Sequence, residues 1–424
     1  MKTHGGNVRA RKDRTRGRRS RTHLEPAASE FHPSTIRYLL EAPLDHRKGL
    51  GQYFTPRTVR ERLFDLLPRL PYRRVLDPAC GTGEFLATAV DRLPGAEVFG
   101  WEVDPRLAAI ARRVAPRAKV FHRDALNESS REAEAFDLVV GNPPYFEFNP
   151  HPCVRGRFQH VLSGRANVFS LFFDVGLSVL REGGVLAYVV PQSMNNGAYF
   201  RALREFILAE GGVIALEPIA EMDLFHDAQQ TVMLLVLRKG HAGSRCVFRK
   251  NDLVIFSPDA RRLGKAFEGK RTLAELGFVV RTGRIVWNQH KERLTRDPVA
   301  GFPLIWSHNI GPEGLRFPVE HPKRPQYVRA PDPDVGPAVL VNRITGAASR
   351  ATLRAAVVPA GMRFFAENHV NVAFPPSSGK LDLEAIAAAM RSPEAIEAAR
   401  LVTGNTQVSA RELADLVPLP YPIS

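Results

Sequence analysis

Arg74-Val75-Leu76-Asp77-Pro78-Ala79-Cys80-Gly81-Thr82-Gly83-Glu84 decides the fold. A short apolar run ends in an acid, a Gly-rich loop follows, and Glu84 to Arg92 has helical character. That is a strand–loop–helix unit, and it repeats downstream. Val98–Glu102 is a second strand ending in an acid, followed by a helix over Pro105–Val114. Lys119–Asp124 is a third strand, again ending in an acid. Phe136–Gly141 is a fourth and runs into Asn142-Pro143-Pro144-Tyr145. A helix near 168–180, a strand over 185–190, a helix over 199–210 and strand-like runs at 213–216 and 231–237 complete the series. Strands alternating with helices give a doubly wound, mainly parallel α/β sheet. Upstream, Val59, Leu63, Leu66 and Leu67 recur at helical spacing over 58–70.

Ligands of such sheets bind at the carboxyl ends of the strands. Asp77, Glu102 and Asp124, together with the Asn after the fourth strand, therefore face one crevice. The loop after Asp77 has neither three dinucleotide-type glycines nor a Walker lysine. A carboxylate at Asp77 suits an ammonium group and not a phosphate. Glu102 can accept both hydroxyls of a ribose, and Asp124 the amino group of an adenine. A ligand carrying those three groups is S-adenosylmethionine. Each acid taken alone could equally be a strand-end or helix-cap residue; three in successive turns beside this loop are harder to explain that way.

Asn142-Pro143-Pro144-Tyr145 supplies acceptors. Two prolines stiffen the loop and remove two backbone donors. The Asn142 side-chain oxygen and the Pro143 carbonyl can hold both hydrogens of a planar amine. A non-planar arrangement then localises the nitrogen lone pair for attack on a methyl sulfonium, with no strong base needed. Tyr145 offers a ring face to a planar substrate.

The order of these motifs resembles that of gamma-class adenine-N6 DNA methyltransferases of the TaqI type. The stretch Gly51-Gln52-Tyr53-Phe54-Thr55-Pro56 precedes the Gly loop, and a large variable region follows the catalytic domain. The likeness is clear over 50–240 and looser over 271–424. There 278–310 and 339–373 resemble halves of a target-recognition domain, and 403–408 through 416–420 resemble its closing segment. The resemblance implies that Thr55 contacts the methionine end of S-adenosylmethionine, Asp77 belongs to the cofactor loop, Glu102 holds the ribose and Asp124 the adenine. Ala79, Gly81, Gly83, Val103, Ala125 and Pro144 would complete the cofactor contacts. Asn142 and Pro143 would bind the target amine and Tyr145 would stack on the extruded base. Phe225, in Met222-Asp223-Leu224-Phe225, would pack on its other side. A core Phe before a strand is the alternative for Phe225. Extrusion is needed because a paired adenine amine cannot point its lone pair along the ring normal.

Composition bounds the rest. The 424 residues include 59 Lys+Arg against 44 Asp+Glu, for a net charge of +15. Split by region, residues 1–24 carry +8, residues 25–240 carry −1 and residues 241–424 carry +8. The expected organisation is a disordered basic tail (1–24), a catalytic domain (25–240), a connector (241–270) and a smaller α+β DNA-recognition domain (271–424). The tail is a phosphate tether or simply a solvated start. Residues 271–363 mix basic side chains with Trp287, Asn288, Gln289, His290, Trp306, His308, Asn309, Arg343 and Thr345, types able to hold phosphates or read base edges. Three cysteines without zinc-ligand spacing exclude a disulfide scaffold and predict no metal. No apolar run spans a membrane and no secretion signal is apparent. A cytoplasmic monomer acting on double-stranded DNA follows, with a separate cognate restriction endonuclease as possible companion. Pro258-Asp259 and Glu268-Gly269-Lys270 have nuclease-like spacing, but no strand surrounds Asp259. Three other readings stay open: methylation of a protein glutamine or RNA amine, cytosine-N4 methylation, and a DNA-binding protein without activity.

Overall fold

The computed structural model describes residues 30–420, apart from 50, 164–165, 196–197, 220–231, 251–252, 344–351, 378–380 and 403–407. The basic tail, Phe225 and Thr345 thus lie outside the described residues. So does most of the 403–408 segment.

The region up to Lys239 is built on seven strands: β1 (Arg74–Asp77), β2 (Glu97–Glu102), β3 (Lys119–His122), β4 (Phe136–Gly141), β5 (Leu180–Pro191), β6 (Gly211–Pro218) and β7 (Val232–Lys239). Their order across the sheet is β3-β2-β1-β4-β5-β7-β6. The first five run parallel. β7 is antiparallel to both its neighbours. A parallel neighbour would need a crossover connection, which an antiparallel one does not. Strand order reverses between β1 and β4, which makes their carboxyl ends the switch point of the sheet.

Six helices concern the site: α1 (Pro33–Glu41), α2 (Arg57–Asp65), α3 (Glu84–Arg92), α4 (Pro105–Val114), α5 (Val168–Val179) and α6 (Arg201–Glu210). Val75, Leu76, Leu138, Val139 and Val140 are fully buried, as strands covered on both faces must be. Each such side chain contributes roughly 1.5–3 kcal/mol by leaving water. One face packs α5 and α6; the other packs α2, α3 and α4. α4 starts cleanly because Asp104 accepts from the Arg106 amide at 2.8 Å and Pro105 takes the first position. α1 carries no strong sequence signal, yet it packs against α4.

Beyond Lys239, a hairpin (Val247–Lys250 with Leu253–Phe256) and a helix (Ala260–Phe267) follow. Cys246, Val254 and Phe256 join the core of the seven-stranded sheet, whereas Ile255, Leu263 and Phe267 meet Leu416. Lys270–Arg271 also pairs with Leu419–Pro420. The C-terminal region holds a four-stranded antiparallel sheet (Val279–Thr282, Val370–Phe374, Ala338–Asn342 and Ala355–Val358). A five-stranded sheet stands beside it, and helices Leu383–Met390, Pro393–Val402 and Ala410–Leu416 cover the first. Asp259 caps the helix that follows it, accepting from the Arg262 amide at 2.9 Å, which accounts for the acid in the nuclease-like pattern. Among the described residues no helix is long and apolar enough to cross a membrane.

Candidate active site

A cavity of about 480 Å³ opens at the carboxyl ends of β1, β2 and β4. Of the residues singled out from the sequence, Thr55, Asp77, Ala79, Gly81, Glu102, Val103, Asp124, Ala125, Asn142 and Pro144 line it. Gly83, Pro143 and Tyr145 do not. Gly83 is the cap of α3, with φ of +87°, and a Cβ there would sit 2.9 Å from the Ala111 Cα of α4. It is needed for helix crossing and backbone shape behind the loop, so its place is structural, not at the cavity surface.

Asp77 is buried, and its Oδ1 accepts from the Ala79 amide at 3.0 Å. It makes no ion pair among the described residues. Burial pushes its carboxyl up to about 8, with the Glu102 charge adding to the effect. Glu102 is also buried and also shifted upward, chiefly by desolvation. Its Oε2 accepts from the Gly81 amide at 2.8 Å and its Oε1 from the Asp104 amide at 2.9 Å. Each oxygen keeps a lone pair free, so the carboxylate can accept from two adjacent hydroxyls. Asp124 caps the short helix Ala125–Glu128, accepting from the Leu126 amide at 3.0 Å and the Asn127 side chain at 2.6 Å. The strand before it ends at His122, not at the acid. Phe54, Phe146 and Phe172, which sequence reasoning did not single out, add ring surface to the wall.

Asn142 is oriented by its neighbours. Its Nδ2 donates to the Tyr53 carbonyl at 2.9 Å and to Thr55 Oγ1 at 3.0 Å. A backbone carbonyl can only accept, which fixes which end of the carboxamide is nitrogen. The Oδ1 is buried and has no hydrogen-bond partner among the described residues. An unpaired buried acceptor is costly, and here it sits on a side chain that lines the cavity.

Tyr145 leans the other way. Its hydroxyl donates to the Val189 carbonyl at 2.5 Å. Its ring lies near-parallel to Tyr53 (6.0 Å, 25°) and edge-on to Phe169 (6.0 Å, 88°). The two motifs are locked together at Gly51, where φ is +61° and a Cβ would come within 2.8 Å of the Tyr145 amide. The Gln52 side chain accepts from the Tyr38 hydroxyl at 2.8 Å, tying the segment to α1.

Trp306 and Asn309, two of the candidate base readers in the C-terminal region, are internal. Trp306 is 2% exposed and donates to the Pro325 carbonyl; Asn309 is fully buried and bonds Arg316 and Gln326. They hold the framework. Trp287, at 41% exposed with the Lys291 ammonium over its ring, faces solvent.

A family model, N-6 DNA methylase, matches residues 37–279, more than half of the chain. The chain belongs to the N-6 DNA methylase family. It is an S-adenosylmethionine-dependent DNA methyltransferase. Relatives include the type II methyltransferase M.CvrRI of Paramecium bursaria Chlorella virus XZ-6E, 27% identical over 67% of this chain and 74% of that protein. The modification methylase CviBIII of Paramecium bursaria Chlorella virus NC1A is 28% identical over 47% of this chain and 52% of the relative. The type II methyltransferase M.TthHB8I of Thermus thermophilus is 27% identical over 70% and 66%.

The cavity fits the cofactor of this family. The unbalanced Asp77 carboxyl suits its ammonium, the two free lone pairs of Glu102 suit vicinal ribose hydroxyls, and Val103, Ala125 and Phe146 give apolar wall beside the Asp124 cap.

Proposed function

We propose that this chain methylates the N6 amine of an adenine, extruded from duplex DNA at a specific sequence, as the modification enzyme of a restriction-modification system. The observation that carries the reading is the Asn142 carboxamide, pinned through its nitrogen and open at its oxygen on the cavity wall. The relatives' names, modification methylase and type II methyltransferase, support the system it serves.

S-adenosylmethionine supplies an electrophilic methyl group on a sulfonium. Asp77, Glu102 and Asp124 would hold its ammonium, ribose and adenine. Asn142 Oδ1 and the Pro143 carbonyl accept one hydrogen each from the target amine. That geometry draws the nitrogen out of conjugation with its ring, so its lone pair can attack. After transfer the nitrogen sheds one hydrogen as a proton to solvent and keeps the other, which stays hydrogen-bonded to Asn142 Oδ1 or the Pro143 carbonyl. Tyr145 would have to turn a ring face away from Tyr53 to stack on the extruded base, with Phe225 in the opposite role. A base held between rings is desolvated and oriented, which supplies most of what a reaction without a strong base requires. The excess positive charge of residues 241–424 is suited to gripping the phosphates on either side.

Sequencing of modified bases in DNA from cells expressing the protein tests the reading. N6-methyladenine in one short motif, absent with Asn142→Ala, is the expected result. N4-methylcytosine, or no modified base at all, overturns it.

A further inference from the structure

The catalytic carboxamide is not held by its own loop alone. Behind it lies a buried ion pair that the reaction itself does not use. Arg60, on α2, and Glu84, the first residue of α3, are 4% and 8% exposed at their side chains, and Arg60 Nη2 meets Glu84 Oε2 at 2.9 Å. The other guanidinium nitrogens are also committed. Nε donates to Thr88 Oγ1 at 3.0 Å and Nη1 to the Thr55 carbonyl at 2.5 Å. The remaining Glu84 oxygen accepts from the His32 amide at 2.8 Å, just before α1. Thr55 in turn accepts from Asn142 Nδ2 through its hydroxyl.

We propose that the Arg60–Glu84 pair is a positioning device for Asn142, acting through Thr55. The inference rests on the adenine-methyltransferase reading and deepens it. Two buried charges are an expensive way to join two helices, because a well-packed apolar pair is often as stable or more so. What an apolar pair could not do is fasten a backbone carbonyl. Arg60 does this with a planar fork whose other arms are anchored on α3. The carbonyl of Thr55 is thereby fixed relative to the loop that lines the cavity, and its hydroxyl is presented to Asn142 at a set angle. Without that anchor one of the two contacts that keep the carboxamide oxygen toward the substrate is loosened. Glu84 also ties the His32 amide to the same point, so the start of α1 and the Thr55 segment are held by one group.

The discriminating variant is Arg60→Met/Glu84→Leu, which removes both charges and leaves no orphaned ion. Cofactor dissociation constant, DNA KM, kcat and melting temperature are measured on the full chain, with Arg57→Ala as a control on the exposed face of the same helix. The expected result is a kcat lower by about tenfold or more, as follows from loosening a catalytic contact by a fraction of an ångström, with DNA KM and cofactor affinity within about threefold and melting temperature near wild type. Arg60→Lys, which keeps the charge but not the fork, should fall between. Arg57→Ala should match wild type. A folded double variant with wild-type kcat overturns the inference, as does a loss of kcat matched by an equal loss of cofactor affinity. If the double variant does not fold, Thr88→Val is the second arm: it takes away one anchor of the fork, and an unchanged kcat in that variant also overturns the inference. Failure of the adenine reading is distinguishable, since the wild-type protein would then leave no N6-methyladenine in any arm.

Discussion

Asn142 Nδ2 lies 3.0 Å from Thr55 Oγ1, a contact between two motifs 87 residues apart. It turns the carboxamide so that Oδ1 has no hydrogen-bond partner among the described residues. Asn142→Ala is therefore expected to lower kcat by about a hundredfold or more, the scale of losing one preorganised hydrogen-bond partner at a reacting group. Cofactor affinity should change little. Thr55→Val keeps the shape and removes one acceptor, and its kcat should fall about tenfold on the same scale. Calorimetry beside single-turnover kinetics checks both; cofactor binding lost in a folded Asn142→Ala protein would remove the role assigned to Asn142.

Glu102 is held by two backbone amides, Gly81 and Asp104. Glu102→Gln replaces one acceptor with an NH₂ group that must face one of those amides. The side chain would swing away or leave an N–H unpaired, at about 1–3 kcal/mol. Cofactor affinity should drop by about tenfold to a hundredfold, as that energy implies, with kcat at saturating cofactor less affected. Unchanged affinity by calorimetry would remove the ribose assignment.

Asp77 gives a pH dependence with a definite sign. Its carboxyl is raised from 3.8 to about 8 by burial. The folded chain without cofactor therefore keeps a proton that the unfolded chain releases near pH 4. The stability tied to that proton is complete below about pH 4 and lost as pH rises toward about 8, because the unfolded state binds fewer protons there. Asp77→Asn should remove the loss: its melting temperature should exceed wild type at pH 8 and the gap should close toward pH 4. Cofactor binding should respond in the opposite direction. Wild-type affinity should increase from pH 6 toward pH 8 as the carboxylate becomes available to the ammonium, and the Asn variant should bind weakly with a flatter profile. A wild-type affinity independent of pH over that range would exclude this partner for the ammonium.

The crevice was legible in the sequence because it is written locally. The strand-end acids, the Gly loop and Asn142 each follow an apolar run, so their place at one edge of the sheet follows from strand order alone. Three features were not. Gly83 belongs to the same loop by sequence but is required by Ala111 on a neighbouring helix, a contact no local pattern signals. Asp124 reads as a strand end and is a helix cap, because the strand gives out at His122. Arg60 and Glu84 carry no signal of their pairing in the local sequence; only the packing of α2 on α3 brings them together and buries them. Trp306 and Asn309 show the same limit from the other side, since residue types suited to reading bases are equally suited to bracing irregular loops.

Gly51 joins the segment over the cavity to the Tyr145 loop. Its φ of +61° disfavours any side chain, and a Cβ would lie 2.8 Å from both the Tyr145 amide and the Phe146 ring. Neither neighbour is the free end of a flexible chain, so the segment itself must lift. Lifting moves the Tyr53 carbonyl and Thr55, which hold Asn142, and shifts Phe54 in the cavity wall. Gly51→Ala should therefore weaken cofactor binding and kcat together, in contrast to Asn142→Ala, with backbone strain of about 1–2 kcal/mol from the left-handed conformation alone. Limited proteolysis should cut near residue 51 faster in the variant, and saturating cofactor should slow that cleavage. Wild-type kinetics in Gly51→Ala would mean that the segment can move without disturbing the carboxamide, and would break the link between Gly51 and the placing of Asn142.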